Sequence, residues 1–440
     1  MTSYWCEHAQ LPDKVHHGVR LSVAEGFLTE VATDTKPRDG DVRLRGVVLP
    51  GFANAHSHAF HRMLRGRTHA DGGNFWTWRD QMYAVTQRLN PDTYFALARG
   101  VFAEMVAAGY TVVGEFHYLH HGPGGQPYDD PNAMGAALIA AAEEAGIRLT
   151  LLDTCYLSGG LDASGHLPLD EVQERFSDGS VQNWLERVEA LRDSEVVRIG
   201  AAAHSVRALP ADDLAEFANV LGDRPVHAHV SEQLGENVTT QMVYGRTPVE
   251  HLDDAGLLHD GFTAVHATHL TDDDIDLMSR SGSGACFCPT TERDLADGIG
   301  PARALADAGV SLSLGSDQHA VIDPFEEIRG VEMHERLVTN ERGRFEIGAL
   351  FEMGTVAGYR SLGWDGGRLV VGALADFVAV RHDSRRTSGV APGQLIFGAT
   401  GADVTDVIVG GKRVVYGGVH TLGPVDDLVA ESIAAVRSAP

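Results

Sequence analysis

The chain has 440 residues, of which 43% are hydrophobic and 22% are charged, and this composition excludes a globally disordered protein. Its 61 acidic and 35 basic residues give a formal net charge of −26, so the surface field repels nucleic-acid phosphates and anionic lipids. We therefore expect neither nucleic acid nor a membrane as a partner. The length fits one large barrel that carries a smaller domain.

The four cysteines show neither paired CxxC spacing nor the density of a disulfide scaffold. Cys286 and Cys288 alternate along one predicted strand, and we assign both to packing. No run of about 18 apolar residues predicts a membrane span, and the first residues lack the pattern of a signal peptide. These features predict a soluble cytoplasmic protein.

Residues 1–49 contain short strand-like runs, such as residues 20–23 and 27–31, which predict the first part of a small β domain. From residue 50 onward, short apolar runs alternate with helix-like stretches, and this alternation is typical of βα units around a parallel sheet. The predicted strands are residues 51–55, 111–116, 148–153, 198–203, 226–230, 263–265, 285–287 and 311–314. The predicted helices include residues 93–108, 133–145, 211–221 and 301–308.

Eight repeats of strand and helix predict an α/β fold with a (β/α)8 TIM-type barrel in residues 50–365. A last predicted helix spans residues 349–362. The segments ADFVAVR and DVIVGGKRVVYGG then return to strand-like patterns. We expect residues 366–440 to supply the other part of the small domain and a terminal tail, so that both chain termini build one β-sandwich.

The segment PGFANAHSHAFHR follows the start of the predicted barrel and contains an HxH pair. Side chains two residues apart on a strand point the same way, so His56 and His58 can bind one metal ion. An accidental pair is the alternative for such a short motif.

Further polar side chains favour the metal site because they lie at the ends of other predicted strands. The carboxyl ends of barrel strands meet at one pocket, so residues that are distant in sequence become neighbours there. These residues are His117, His204, His229, His266 and Asp317.

The motifs in this order resemble those of the amidohydrolase superfamily, and the resemblance covers essentially the whole chain. It implies metal ligation by His56, His58, His229 and Asp317, and catalytic roles for Glu232, His266 and Asp317. Superfamily members with two metals bridge them through a carboxylated lysine on the fourth strand. The three lysines, Lys14, Lys36 and Lys412, lie outside the predicted barrel. We therefore expect a single divalent ion.

Zinc is the expected ion, although iron and manganese accept the same ligands. An ion held by three imidazoles and a carboxylate lowers the pKa of a bound water toward about 7. Glu232 is then expected to carry a proton from the water to a departing nitrogen. His266 is expected to hydrogen-bond the nucleophile or the intermediate, and Asp317 to orient the water.

Segments around the predicted barrel mouth resemble those of formimidoylglutamate deiminases, which convert N-formimidoyl-L-glutamate to N-formyl-L-glutamate and ammonia in histidine degradation. These segments are NFWTWRDQMY, HYLHH, AAHSVRAL and CPTTERDLADGIGPARAL. Arg79 and Arg207 offer planar bidentate donors for the two carboxylates of such a substrate. The resemblance suggests that Tyr118 and His204 contact its polar ends.

His61 departs from the deiminase pattern, which carries glutamine at this position. Either residue can donate a hydrogen bond to a carboxylate, so His61 is a further predicted substrate contact. The resemblance also implies a homodimer.

Two alternatives remain open at this stage. A related deaminase that acts on a guanine-like or other ring amidine uses the same metal and Glu232, but needs aromatic and amide groups in place of the arginines. A barrel that has lost its chemistry is the other, although such proteins usually lose their ligands.

Overall fold

Parallel strands form the centre of the computed structural model, which describes residues 2–68 and 75–438. Residues 69–74, where the segment NFWTWRDQMY begins, lie outside the described residues. In chain order the strands are β1 (Thr2–Gln10), β2 (Val15–Ala24), β3 (Phe27–Ala32), β4 (Val42–Pro50), β5 (Phe52–Ser57), β6 (Tyr110–His117), β7 (Arg148–Cys155), β8 (Gly160–Asp162), β9 (Gly165–Leu167), β10 (Val197–Ser205), β11 (Val226–Val230), β12 (Phe262–His266), β13 (Gly284–Phe287), β14 (Leu312–Leu314), β15 (Phe377–Val380), β16 (Val404–Val409), β17 (Lys412–Tyr416) and β18 (Val419–His420).

The helices lie mainly between the barrel strands. In chain order they are α1 (Phe75–Thr86), α2 (Pro91–Ala108), α3 (Ala133–Ala145), α4 (Val181–Val188), α5 (Ala211–Val220), α6 (Leu234–Tyr244), α7 (Pro248–Asp254), α8 (Asp272–Ser281), α9 (Pro289–Leu295), α10 (Ala302–Asp307), α11 (Pro324–Thr339), α12 (Ile347–Gly354), α13 (Val356–Ser361) and α14 (Val425–Ser438). Within the described ranges, no helix combines the length and apolarity needed to cross a bilayer.

Eight strands build the barrel, in the spatial order β5, β6, β7, β10, β11, β12, β13 and β14. Neighbouring strands are parallel, and strands such as β6 and β7 are buried along their whole length. Strands buried on both faces appear in the sequence as nearly continuous apolar runs, which explains why the sequence pattern located them. The predicted barrel is confirmed. β5, β7 and β10 each extend two residues beyond the predicted ends.

Helix caps place the strands after short turns. The Asn90 side chain accepts a hydrogen bond from the Thr93 N–H at the start of α2, and Pro91 occupies the first turn. Gly109 ends α2 with a φ of 111°, a conformation that side chains disfavour. The chain therefore turns directly from α2 into β6.

Strands from both termini join in a second eight-stranded sheet, in the order β18, β17, β16, β15, β4, β1, β2 and β3. β1 and β4 are parallel, whereas β4 and β15 are antiparallel. The sheet has its own apolar core, in which the rings of Tyr4 and Phe377 meet edge to face with 5.1 Å between centroids. The expected small β domain built from both chain termini is confirmed, and its strands form one mixed sheet where a β-sandwich was expected.

The predicted helix at residues 349–362 is wrong as a single element, because α12 and α13 meet at Thr355 with a φ of −132° and a ψ of −98°. The chain crosses closely at this point. A Cβ added at Gly367 would lie 2.7 Å from the carbonyl carbon of Thr355. This crossing is a tertiary contact that helical periodicity does not reveal.

A buried ion pair joins the barrel to the terminal sheet. Arg148 in β7 donates from Nε to Asp376 Oδ2 at 2.7 Å and from Nη2 to Oδ1 at 3.2 Å. Asp376 also accepts hydrogen bonds from the Tyr359 hydroxyl at 2.9 Å and from the Gly410 N–H at 2.6 Å. Both oxygens of Asp376 therefore accept hydrogen bonds from residues that lie in separate segments of the chain.

We expect Asp376→Ala to lower the free energy of unfolding by about 3–5 kcal/mol, because it leaves the Arg148 guanidinium buried without its partner. Urea unfolding measures the change. The control is Asp254→Ala, whose pair with Arg246 is exposed and screened by solvent, so its effect should be much smaller than that of Asp376→Ala. Equal losses in the two variants would contradict the role of the buried pair.

Candidate active site

The four predicted metal ligands meet at the carboxyl ends of the barrel strands. His56 lies in β5, His58 follows it, His229 lies in β11 and Asp317 follows β14. The Nε2 atom of His229 lies 3.2 Å from Nε2 of His56 and 3.4 Å from Nε2 of His58. Oδ1 of Asp317 lies 3.3 Å and 3.4 Å from the same two histidine atoms. The four ligand atoms therefore face one buried point.

Backbone carbonyls of neighbouring strands orient two of these imidazoles. Nδ1–H of His58 donates to the carbonyl of Phe116 in β6, and Nδ1–H of His229 donates to the carbonyl of His204 in β10, both at 2.9 Å. The Nε2 atom of each ring therefore carries the lone pair. Burial lowers the pKa of His58 to about 3 and the pKa of His229 well below its ordinary value, so both rings are uncharged.

This set of ligand atoms fits one divalent cation. Lone pairs of uncharged imidazoles repel each other at 3.2–3.4 Å unless a positive centre lies between them. Asp317 supplies negative charge: burial opposes its ionisation, but the adjacent His56 holds the pKa of its carboxyl far below the usual range. The lysines of the chain lie outside the barrel, in the terminal segments, so none can bridge a second ion.

Glu232 and His266, the other predicted catalytic residues, lie beside this cluster. Oε1 of Glu232 is 3.8 Å from Nε2 of His266, and Nδ1 of His266 is 3.5 Å from Oε1 of Glu292. Burial favours the neutral imidazole, yet the two flanking carboxylates raise the pKa of His266 to about 10. A cationic imidazole between two carboxylates can donate hydrogen bonds to negative charge in the cavity.

The turns that carry these residues adopt backbone conformations that side chains disfavour. The φ angles are 51° at Ser231, 68° at His266 and 42° at Asp317, all in the left-handed region. Such conformations persist only where the surrounding structure imposes them, and they concentrate at functional sites. Their presence at three strand ends agrees with a functional role for this edge of the barrel.

A cavity of about 200 Å³ opens at the cluster, and His58, His229, Glu232, His266 and Asp317 form part of its wall. The residues predicted to contact the substrate all line the same cavity: His61, Arg79, Tyr118, His204 and Arg207. The structure therefore brings the predicted metal ligands, catalytic residues and substrate contacts together at one place.

His61 and Tyr118 form a polar pair in the cavity wall, with 3.0 Å between His61 Nε2 and the Tyr118 hydroxyl. The His204 ring packs against Tyr156 with 4.7 Å between centroids. These contacts fix the side chains at one side of the cavity. Their polar atoms remain beside the space in which a ligand binds.

Arg79 and Arg207, the two arginines predicted to contact the substrate, also interact with neighbouring side chains. Arg207 lies 3.2 Å from Oε2 of Glu236 through Nε and 3.3 Å from Oε2 of Glu232 through Nη2. The guanidinium of Arg79 lies 5.5 Å from the centre of the Tyr83 ring. Arg207 therefore connects the wall of the cavity to the proposed proton carrier.

His117 is the strand-end histidine that does not reach the cluster. Successive side chains of a strand alternate in direction, and the preceding Phe116 points inward, with its ring 4.4 Å from that of His229. His117 points outward, 3.3 Å from His120 and near Asp153. Because Arg187 already pairs with Asp153 at 2.8 Å, we assign this second group to packing and not to metal binding.

Sequence reasoning missed three buried carboxylates around the site: Glu115, Glu236 and Glu292. Glu115 interrupts the apolar strand YTVVGEFH, and a buried acid in such a run is a signal that the sequence offers. Glu236 and Glu292 lie in the first turns of α6 and α9, where acids are ordinary. Their contacts with Arg207 and His266 depend on the tertiary fold.

The fold and the cluster together define a barrel hydrolase with a candidate metal centre at its strand ends.

Comparisons with known proteins narrow this class. Residues 47–414 match the Amidohydrolase family model. Formimidoylglutamate deiminase of Pseudomonas aeruginosa is 36% identical over 439 residues, which cover 96% of each chain. The 5-methylthioadenosine/S-adenosylhomocysteine deaminase of Natronomonas pharaonis is 29% identical over 393 residues, covering 87% of this chain and 84% of that protein. The solved structure of an amidohydrolase from Brucella melitensis aligns with a TM-score of 0.92 at 32% identity and covers 100% of both chains. The chain belongs to the amidohydrolase family.

We expect His229→Ala to lose most of the bound metal, because it removes one of the convergent ligands. Elemental analysis of the folded, purified variant measures the metal per chain. The control is His227→Gln on the same strand, since His227 is also buried but its Nε2–H donates to the Ser361 carbonyl at 3.0 Å. Metal content equal to the wild type in His229→Ala would contradict this centre.

Proposed function

We propose that this protein binds one zinc ion at the His–Asp cluster and hydrolyses N-formimidoyl-L-glutamate to N-formyl-L-glutamate and ammonia. The observation that carries the proposal is that Arg79 and Arg207 share one small cavity with the cluster. A guanidinium binds a carboxylate through two parallel hydrogen bonds, and this substrate has two carboxylates. The 36% identity to the Pseudomonas aeruginosa enzyme, over 96% of both chains, supports the same substrate.

The residues that hold the ion are His56, His58, His229 and Asp317. Zinc accepts imidazole and carboxylate ligands, and when bound it acts as a Lewis acid that makes water nucleophilic near neutral pH.

The reaction adds water to the amidine carbon and expels the terminal nitrogen as ammonia. With the amidine in its protonated form, Glu232 accepts one proton from the water as the new C–O bond forms and delivers it to the terminal nitrogen as the C–N bond breaks; the remaining hydroxyl proton is released as the carbonyl forms. His266, whose Nε2 lies 3.8 Å from Glu232 Oε1, donates a hydrogen bond to the oxygen on which negative charge develops. Both residues line the cavity in which the amidine binds.

The other wall residues bind and orient the substrate. Glu236 lies 3.2 Å from Nε of Arg207 and Glu232 lies 3.3 Å from its Nη2, so the two carboxylates hold this guanidinium in the cavity wall. Arg79 binds the second carboxylate. His61, Tyr118 and His204 supply hydrogen bonds along the length of the substrate, so that its amidine end lies at the cluster.

A ring amidine is the second candidate substrate, because the Natronomonas pharaonis relative carries the name of a deaminase of 5-methylthioadenosine and S-adenosylhomocysteine. A purine nucleoside needs room for two ring systems and hydrogen-bonding partners for uncharged groups. A cavity of about 200 Å³ with two arginines in its wall favours a small dianion instead.

We expect ammonia release from N-formimidoyl-L-glutamate with a kcat/KM at least about 100-fold above that on 5′-methylthioadenosine or guanine. The reason is that each charge-assisted interaction with a carboxylate is worth roughly 1.5–3 kcal/mol. Arg79→Met should lose most of this preference. Arg88→Met is the control because Arg88 is exposed and its Nη1–H donates to the Arg437 carbonyl at 3.2 Å. Faster turnover of the nucleoside would contradict the proposed substrate.

We expect Glu232→Gln to keep its metal and to lose about 10²- to 10⁴-fold in kcat, because the amide can neither accept nor deliver the proton. Ammonia release and elemental analysis measure the two properties on one sample. Glu352→Gln, an exposed change on α12, is the control. A kcat near that of the wild type in metal-loaded Glu232→Gln would exclude Glu232 as the proton carrier.

A further inference from the structure

The turns that bear His58 and Asp317 come from the first and last barrel strands, and short contacts join them. β14 has 3 residues, and among the described residues one isolated bridge joins Ser57 of β5 to Asp317 in the turn after β14. At that bridge the Asp317 N–H donates to the His56 carbonyl at 3.0 Å, and the His58 N–H donates to the Asp317 carbonyl at 3.2 Å. We call this junction of β14 and β5 the barrel seam.

The turn after β14 lies directly against β5 in a strained conformation. The φ angles are 42° at Asp317 and 60° at His319. A Cβ added at Gly315 would lie 2.7 Å from Cβ of His56, so only glycine permits this approach. Because non-glycine residues disfavour such angles, contacts from outside the turn must hold it in place.

Glu115 of β6 is fully buried and bonds to both sides of His58. Its Oε2 accepts a hydrogen bond from the Ser57 hydroxyl, and its Oε1 accepts one from the Ala59 N–H, both at 2.6 Å. The next residue of β6, Phe116, accepts the Nδ1–H of His58. Two consecutive residues of β6 thus fix the backbone and the ring of one ligand.

The hydrogen bonds continue from Ser57 across the barrel seam. The Ser57 hydroxyl lies 3.2 Å from Nε2 of His319, and Nδ1 of His319 lies 3.0 Å from the Ser316 hydroxyl. The Asn54 amide donates to that hydroxyl at 2.7 Å. His319 and Ser316 flank Asp317, so the same chain of bonds reaches both turns.

One direction of donation satisfies every group in this chain. The Asn54 amide donates to Ser316, whose hydroxyl donates to Nδ1 of His319. Nε2–H of His319 then donates to Ser57, whose hydroxyl donates to Glu115. In its ionised form Glu115 ends this chain as an acceptor at both oxygens.

We propose that Glu115 is a positioning residue for the metal centre, holding the His58 turn and the Asp317 turn in register across the barrel seam through Ser57 and His319. The inference rests on the proposed function, in which the cluster binds a divalent ion. Glu115, Ser57 and His319 do not belong to the described wall of the cavity, so they act on ligand geometry and not on the reacting atoms.

An amide at position 115 cannot end the chain in the same way. Its NH2 group would donate toward Ser57, whose hydroxyl then loses its acceptor. Burial raises the pKa of Glu115 to about 8 even though the donors Ser57 and Ala59 lower it, so the side chain accepts both hydrogen bonds as a carboxylate only above this pH. Zinc affinities of the Glu115 variant and its control are therefore compared at about pH 9, where Glu115 is ionised and the amide differs from it.

We expect Glu115→Gln to weaken zinc affinity about 10- to 100-fold, the usual effect of removing a partner behind a ligand. Competition with a chromophoric chelator measures this affinity without substrate. The matched control is Glu327→Gln, because Glu327 is also buried and accepts from the N–H and hydroxyl of Thr290, at 3.0 Å and 2.5 Å. Both variants should unfold at lower temperature, but only Glu115→Gln should lose zinc affinity.

Ser57→Ala tests the same chain without changing the carboxylate, and it serves if Glu115→Gln does not fold. We expect an affinity loss of the same order. Zinc affinity equal to that of the wild type in either folded variant, or an equal loss in Glu327→Gln, would overturn the proposal. A wild-type protein that binds zinc without deiminating activity would contradict the proposed function and leave this test valid; a wild type that binds no zinc would overturn both.

Discussion

Carbonyl groups of neighbouring barrel strands orient two of the ligand imidazoles. His58 uses the Phe116 carbonyl of β6, and His229 uses the His204 carbonyl of β10. Those carbonyls accept a hydrogen bond from Nδ1–H, so the lone pair on Nε2 faces the centre of the cluster. Since burial also keeps the rings uncharged, the barrel sets both the direction and the protonation state of its ligands before any ion arrives.

The same geometry links metal binding to closure of the barrel. His56 and His58 belong to the first strand, whereas Asp317 follows the last, and the bridge at Ser57 and Asp317 joins them. An ion held by residues on both sides of the barrel seam binds the closed form and not the open one. Its binding free energy therefore adds to the stability of the closed barrel.

The sequence was sufficient to predict the barrel because buried strands appear as apolar runs. The residues proposed as ligands lie at or just after the strand ends, and their assignment also depended on the resemblance to the amidohydrolase superfamily. Three features needed the tertiary structure. The outward direction of His117 depends on the register of β6. The break at Thr355 comes from a chain crossing, and the pairing of Arg207 with Glu232 and Glu236 joins segments that are separate in sequence. The position of Glu115 within an apolar strand indicated a buried acid, but it did not indicate which residues that acid contacts.

Charge balance at the strand ends gives an independent reason for a divalent ion. Through their ion-pair contacts, Arg207 and His266 join the carboxylates of Glu232, Glu236 and Glu292, while Asp317 lies against the uncharged histidines. Within this group of contacts four buried carboxylates face two cations, and an uncompensated buried charge is strongly unfavourable. One divalent cation at the cluster neutralises the difference. A divalent ion bound at this point therefore also stabilises the buried charged groups around it.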